Sequence, residues 1–291
     1  MAYLELSFEL GELEGESAAS ICHAAGALSV TFSDAQDDPV LEPGAGELRL
    51  WRHTRLQALY DATRAGPVLI SSLAAALGLA ASRLTARAVE DRVWEREWLR
   101  DFHAMRFGRR LWICPRHETV DAANAVVVRL DPGLAFGTGT HPSTAMCLNF
   151  LDQTQLHGSN VVDYGCGAGA LAIAALKLGA RRVYAYDIDP QALTATRDNA
   201  LDNGVADRLQ LCDREDQIAR GCGVLLANIL APVLIALAPR FTQLLPSSGR
   251  LLLAGVLAAQ ESEVASAFLK WFDISRFAGR DGWVALAGLR K

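Results

Sequence analysis

Within nine residues, Val161-Val162-Asp163-Tyr164-Gly165-Cys166-Gly167-Ala168-Gly169, an apolar run gives way to a carboxylate and three alternating glycines. The apolar stretch Ala170 to Leu178 follows directly. This pattern predicts a strand that ends in a tight turn and opens a helix. Such a turn aims bare backbone amides at a ligand on the C-terminal edge of a sheet. Glycine is needed there because a Cβ would block the close approach or the backbone angles. Asp187 stands 22 residues after Gly165, at the end of the next apolar run, where a carboxylate accepts hydrogen bonds from ribose hydroxyls. The turn alone is a weak signal. Strand, turn, helix, strand and acid together point to an adenosine-type ligand.

Two further segments carry chemistry. Asp131-Pro132-Gly133-Leu134-Ala135-Phe136-Gly137-Thr138-Gly139-Thr140-His141-Pro142-Ser143-Thr144 is a glycine-rich loop running into a helix, with Thr140 as N-cap and Pro142 in the first turn. No Gly-Lys-Ser/Thr follows, so it is not a phosphate-gripping P-loop. It reads either as an ordinary capped helix entry or as a flexible lid with Thr144 turned toward the ligand; His141 receives no catalytic role. Asn228-Ile229-Leu230-Ala231-Pro232 lies at the end of another apolar run, and strand ends of that kind border the ligand crevice of a doubly wound sheet. Asn228 either turns the chain before a helix or accepts a hydrogen bond from an amine N–H, holding the nitrogen lone pair toward a reacting group.

Gly165-x-Gly167-x-x-Ala170 satisfies a loose dinucleotide pattern, so an NAD-dependent oxidoreductase is the natural rival. The spacing Gly-x-Gly-x-Gly after Asp163 is instead the form associated with S-adenosylmethionine. Dinucleotide domains also usually open with their glycine turn, whereas this one follows another glycine loop. A methyltransferase is the favoured reading. A third reading, an assembly factor with a vestigial ligand domain, is disfavoured by intact Asp163, Gly165, Gly167 and Asp187.

The elements that position these residues are legible in outline. Apolar runs at Val126 to Leu130, Val161 to Asp163, Val183 to Asp187, Val224 to Asn228 and Leu251 to Val256 alternate with helical stretches. That alternation predicts an α/β domain with a mainly parallel, doubly wound sheet. Ahead of it, Leu4, Leu6, Phe8 and Leu10 alternate with polar residues as a half-buried strand does. A helix at 15–26, strands at 28–33 and near 47–52, a helix around 67–78 and a strand at 83–89 complete a ferredoxin-like α+β pattern. Residues 55–65 look helical and have no place in that plan. The expected organisation is a smaller N-terminal domain over 1–90, a helical linker over 91–104 holding Trp94 and Trp98, and the α/β domain over 105–291.

At 291 residues, 51% hydrophobic and 21% charged, the chain has the size and composition of two globular domains. Its formal net charge of -5 argues against a protein whose main task is to grip nucleic acid. That charge is uneven: residues 1–90 hold 12 acidic and 6 basic side chains, and the remainder 21 and 22. A basic protein suits the acidic first domain better than RNA does. The six cysteines form no Cys-x-x-Cys pair and read as buried thiols of a reducing compartment. The acidic N-terminus lacks a signal-peptide n-region. Gly221 to Pro239 is uncharged over 19 residues, but Asn228 and Pro232 interrupt it, so it reads as a buried strand and a helix. A soluble cytoplasmic protein is expected, with no direct nucleic-acid binding and no membrane partner.

The two glycine loops, Asp187-Ile188-Asp189-Pro190, Asn228-Ile229-Leu230-Ala231 and the Trp94-Glu95-Arg96-Glu97-Trp98 connector together resemble the ribosomal protein L-eleven methyltransferase (PrmA) family over essentially the whole chain. Phe136 to Pro142 is the most specific part, since all class I methyltransferases share the cofactor glycines. The resemblance implies a class I S-adenosylmethionine fold behind a ferredoxin-like domain that recognises the ribosomal protein. It implies methylation of lysine side chains and the N-terminal α-amine, with no metal. By motif position, Thr144, Gly165, Gly167, Asp187 and Asn228 are the cofactor-binding residues, and Asn228 is also the candidate for placing the amine. Of the Asn/Asp-Pro-Pro-Tyr motif of many nitrogen methyltransferases, Asn228 keeps only the first position. No general base stands out.

Overall fold

The computed structural model describes residues 3–36, 50–62, 66–89, 103–130 and 141–291. The loop 131–140 and the Trp94–Trp98 connector lie outside the described residues. The chain divides into two compact units, Met1–Trp94 and Glu95–Lys291.

In the first unit the order is β1 (Tyr3–Glu9), α1 (Gly15–Ala24), β2 (Ser29–Asp34), β3 (Thr54–Asp61), α2 (Pro67–Leu77) and β4 (Thr85–Val89). The sheet runs β2-β3-β1-β4 with every neighbouring pair antiparallel, which is the split βαβ plan. The third strand is not near 47–52. Residues 50–53 are not strand, 47–49 lie outside the described residues, and the strand falls on Thr54–Asp61, where the sequence looked helical. Thr54, Leu56, Ala58 and Tyr60 are buried alternately, so pairing with β1 and β2 selects the period of two. Leu56, Ala58 and Tyr60 join Leu6, Phe8, Cys22, Leu73 and Leu77 in one core beneath the helices. Glu14 caps α1 by accepting the Glu16 and Ser17 amides; Pro67 starts α2 and Gly78 ends it.

The second unit contains β5 (Met105–Phe107), β6 (Leu111–Cys114), β7 (Val126–Arg129), α3 (Pro142–Gln153), β8 (Asn160–Tyr164), α4 (Ala170–Lys177), β9 (Arg182–Tyr186), α5 (Pro190–Asp202) and β10 (Leu209–Cys212). It continues with β11 (Val224–Asn228), α6 (Ala231–Leu244), β12 (Arg250–Leu257), α7 (Glu261–Phe268), β13 (Phe272–Arg280) and β14 (Trp283–Arg290). Seven strands form one sheet in the order β10-β9-β8-β11-β12-β14-β13. The first five are parallel, and β14 runs antiparallel to both its neighbours. Helices cover both faces, so β8, β11 and β12 are apolar almost throughout. The apolar run at Val126 to Leu130 does not enter this sheet: β7 pairs with β6 in a separate three-stranded sheet, β5-β6-β7. The 19-residue uncharged stretch divides into β11 and α6, and among the described residues no helix is long and apolar enough to cross a membrane. Strand order reverses between β8 and β11, the place where a doubly wound sheet opens its crevice.

The donor cleft at the sheet crest

The turn after β8 is built by glycines that no other residue replaces easily. Gly165 has φ +81°, and a Cβ there would sit 2.4 Å from the Ile229 Cγ2. The Gly165 and Cys166 amides both donate to the Tyr186 carbonyl at the end of β9, at 2.8 and 3.0 Å. From α5, Thr196 donates its hydroxyl to the Gly167 carbonyl (2.8 Å) and Asn199 its amide to the Ala168 carbonyl (2.9 Å). The turn is therefore held from two sides, fixed before any ligand arrives.

Asp187 closes the far side. Its Oδ2 accepts the Gly167 amide at 2.9 Å and its Oδ1 the Asp189 amide at 3.0 Å. Each carboxylate oxygen has a second lone pair for a ligand hydroxyl. Asp163 lies behind the turn, fully buried, with Oδ2 accepting the Ala172 amide at 2.9 Å and Oδ1 without a hydrogen-bond partner. Burial raises its carboxyl to about 7, against the Ala172 hydrogen bond and with help from the nearby Asp187 charge.

Asn228 ends β11 on the other side of the reversal. Its Nδ2 donates to the Thr144 Oγ1 at 3.2 Å, across 84 residues of chain. Thr144 is buried in the first turn of α3, a helix capped by His141, whose Nδ1 accepts the Ser143 amide at 3.2 Å. The imidazole meets the Trp283 ring edge-on, at 4.8 Å between centroids. Thr140 is not the N-cap; the helix starts one residue later. One Nδ2 hydrogen of Asn228 is committed to Thr144, which turns the carbonyl oxygen, with the second Nδ2 hydrogen, toward a ligand.

Thr144, Gly165, Gly167, Asp187 and Asn228 all line one cleft of about 360 Å³, a volume within the range of small-ligand sites. Sequence reasoning missed several of its other walls. Tyr164 and Tyr186 form an aromatic pair at 4.7 Å, and Ile188, Leu230 and Val233 stand exposed around the mouth. Tyr164 donates its hydroxyl to Glu215 at 2.5 Å, and Arg240 holds the same carboxylate at 3.1 Å. Burial first, and then the Glu215 bond, push the Tyr164 hydroxyl well above its ordinary range. Gly255 in β12 was also invisible: at φ +77°, its Cβ would lie 2.6 Å from the Ile229 carbonyl oxygen. Only a glycine lets β12 approach the Asn228–Ile229 turn.

A parallel sheet in this order with an antiparallel β14, a glycine turn after β8 and an acid after β9 defines a class I S-adenosylmethionine-dependent methyltransferase. The cleft has the features such a donor asks for: a rigid glycine turn, the Asp187 carboxylate and apolar walls. The Gly165, Cys166, Gly167 and Gly169 amides are not the bare groups the sequence suggests but donate within the protein. The family described as Ribosomal protein L11 methyltransferase (PrmA) matches residues 2–291, and the chain belongs to it. A Pseudomonas syringae pv. tomato protein named ribosomal protein L11 methyltransferase is 45% identical over the full length of both chains. One from Pasteurella multocida is 47% identical over 99% of each. The crystal structure of a ribosomal protein L11 methylase from Lactobacillus delbrueckii subsp. bulgaricus aligns with a TM-score of 0.60 at 32% identity, covering 65% of this chain and all of that one.

Proposed function

We propose that the chain transfers methyl groups from S-adenosylmethionine to lysine side-chain and N-terminal amines of ribosomal protein L11. The relatives' names support the acceptor protein. The observation that carries the chemistry is the Asn228 carboxamide, oriented by Thr144 at the end of β11. Bound in the cleft, the donor supplies a methyl group on a positively charged sulfur. Gly165 and Gly167 place backbone at its amino-acid portion, Thr144 borders that portion, and Asp187 takes the ribose hydroxyls.

Asn228 accepts a hydrogen bond from the attacking amine and keeps its lone pair on the line of transfer. A lysine amine, of ordinary pKa about 10.4, must arrive neutral, and an apolar cleft favours that form. The only carboxylate lining the described cleft is Asp187, which this reading assigns to the ribose, so water takes the released proton. The acidic first domain, 12 acidic to 6 basic residues over 1–90, recognises and steers the basic substrate.

Single-turnover transfer with the donor saturating tests the positioning role: Asn228→Ala slows it on the order of 10–100-fold. An unchanged rate removes Asn228 from the mechanism. Steering is tested separately, since the rate of methylation then falls between low and physiological salt.

A further inference from the structure

The rim of the large sheet opposite the cleft is a cationic edge. Arg182 opens β9 and pairs with Asn160, the Gly223 amide donates to the Asn160 carbonyl at 2.9 Å, and the Arg250 amide donates to the Gly223 carbonyl at 2.9 Å. These residues therefore form one hydrogen-bonded row across β9, β8, β11 and β12, placing Arg182 and Arg250 about 14 Å apart at three strand spacings. Arg181 and Arg220 lie in the loops along the same row, and Lys270 lies at its far end. All five side chains are exposed.

Helix C-termini point to this rim, and cations there often do no more than neutralise them. Three basic residues are used that way: Arg208 donates to the Leu176 and Ala180 carbonyls, Arg290 to the Leu245 carbonyl and Lys291 to the Leu269 carbonyl. Lys291 is paired with Asp273 at 3.5 Å. Among the described residues, Arg182, Arg220 and Arg250 enter no ion pair, and Arg181 donates only to the neutral Asn160 side chain. Among the described residues, the exposed carboxylates at this rim are Asp207 before β10, Asp273 in β13 and Asp202 at the end of α5, which is paired with Arg116. The crevice rim has the opposite sign, with Asp187, Asp189, Asp213 and Asp216 against Arg214, which pairs with Asp216 at 3.1 Å. The near-neutral charge of residues 91–291 thus averages a segregated surface, which is why the net charge argued against an anionic partner.

We infer that this edge is a docking surface for the phosphate backbone of single-stranded RNA. Guanidinium forks suit phosphate oxygens, and four of the five unneutralised cations are arginines. Lys270 sits 5.2 Å from the Trp271 ring centroid, placing an aromatic among the cations at the end of the row. The choice of RNA among polyanions rests on the proposed function, whose acceptor is a ribosomal protein.

The test is fluorescence anisotropy with a labelled single-stranded RNA of about a dozen nucleotides. The full chain binds it, and affinity falls with salt at a log–log slope of about -2 to -3, the value for three or four phosphates. Arg182→Gln with Arg250→Gln weakens binding at least about tenfold and flattens that slope by about 1.4, while methyl transfer to free L11 stays at the wild-type rate. Absence of binding at low salt, or equal binding by the variant, overturns the assignment. Equal displacement by polyglutamate at the same charge concentration also overturns it, in favour of an acidic protein. Retained methyl transfer in any of these cases leaves the proposed reaction standing.

Discussion

The Asn228 carboxamide is held by the Thr144 hydroxyl at 3.2 Å, a contact joining the end of β11 to the first turn of α3. That bond fixes which end of the amide faces the cleft. Thr144→Val keeps the buried shape and removes the acceptor. Transfer at saturating donor then slows about tenfold. The double variant Thr144→Val/Asn228→Ala is no slower than Asn228→Ala alone, since both changes break one relationship. Additive losses in single-turnover rates contradict this linkage.

Asp187 already accepts two backbone amides, at 2.9 and 3.0 Å, and so binds a ribose from a preset position. Asp187→Asn removes the charge and one acceptor. Charge-assisted hydrogen bonds of this kind carry about 1.5–3 kcal/mol, so the donor dissociation constant rises roughly 10–100-fold. At saturating donor the turnover stays within about threefold. Calorimetric titration with S-adenosylmethionine, beside steady-state kinetics, separates the two quantities. A loss confined to turnover contradicts the assignment.

Gly255 permits β12 to pass within contact of the Ile229 backbone. Gly255→Ala adds a left-handed penalty and a clash with backbone, costing about 1–3 kcal/mol in unfolding free energy. It also displaces Asn228, so transfer slows even where the variant remains folded. Urea denaturation with parallel rate measurements reads both effects. Wild-type stability in this variant contradicts the close approach.

The buried Asp163 gives stability a pH dependence of defined sign. Its folded carboxyl titrates at about 7 because burial disfavours the charge, whereas an unfolded Asp titrates near 3.9. Between those values the folded state holds the extra proton. The stabilisation is fully present below about pH 4 and is lost as pH rises toward 7. Asp163→Asn keeps an acceptor for the Ala172 amide and does not titrate. The wild type therefore loses stability relative to this variant between pH 4 and pH 7, by on the order of 2–4 kcal/mol. Denaturant titrations at pH 5 and pH 8 measure it; a constant difference contradicts the burial argument.

Much of this site is written locally in the chain. Gly165, Gly167 and Asp187 belong to one strand-turn-helix-strand unit, and short-range spacing reveals such a unit. Thr144 and Asn228 stand 84 residues apart, and no spacing rule discloses that their side chains meet. Gly255 sits inside an apolar run, where nothing marks it as the point of a close backbone approach. β3 is ambiguous in sequence because Leu56, Leu59 and Tyr60 satisfy a helical period while Leu56, Ala58 and Tyr60 satisfy a strand period. Pairing with β1 and β2 decides between them. Val126 to Leu130 reads as a strand but not as a member of the small sheet with β6, since an apolar run does not say which neighbour it finds. The hairpin β13–β14 went unseen because exposed polar residues break up β13, the edge strand.

Intact-mass spectrometry of purified L11, incubated with this enzyme and S-adenosylmethionine, tests the central claim most directly. The account predicts mass increases in whole methyl increments, with fragmentation placing them on lysine side chains and the N-terminal amine. Asn228→Ala reduces their rate of appearance. An unchanged mass, under conditions where donor binding to the cleft is measured independently, contradicts the proposed reaction on L11.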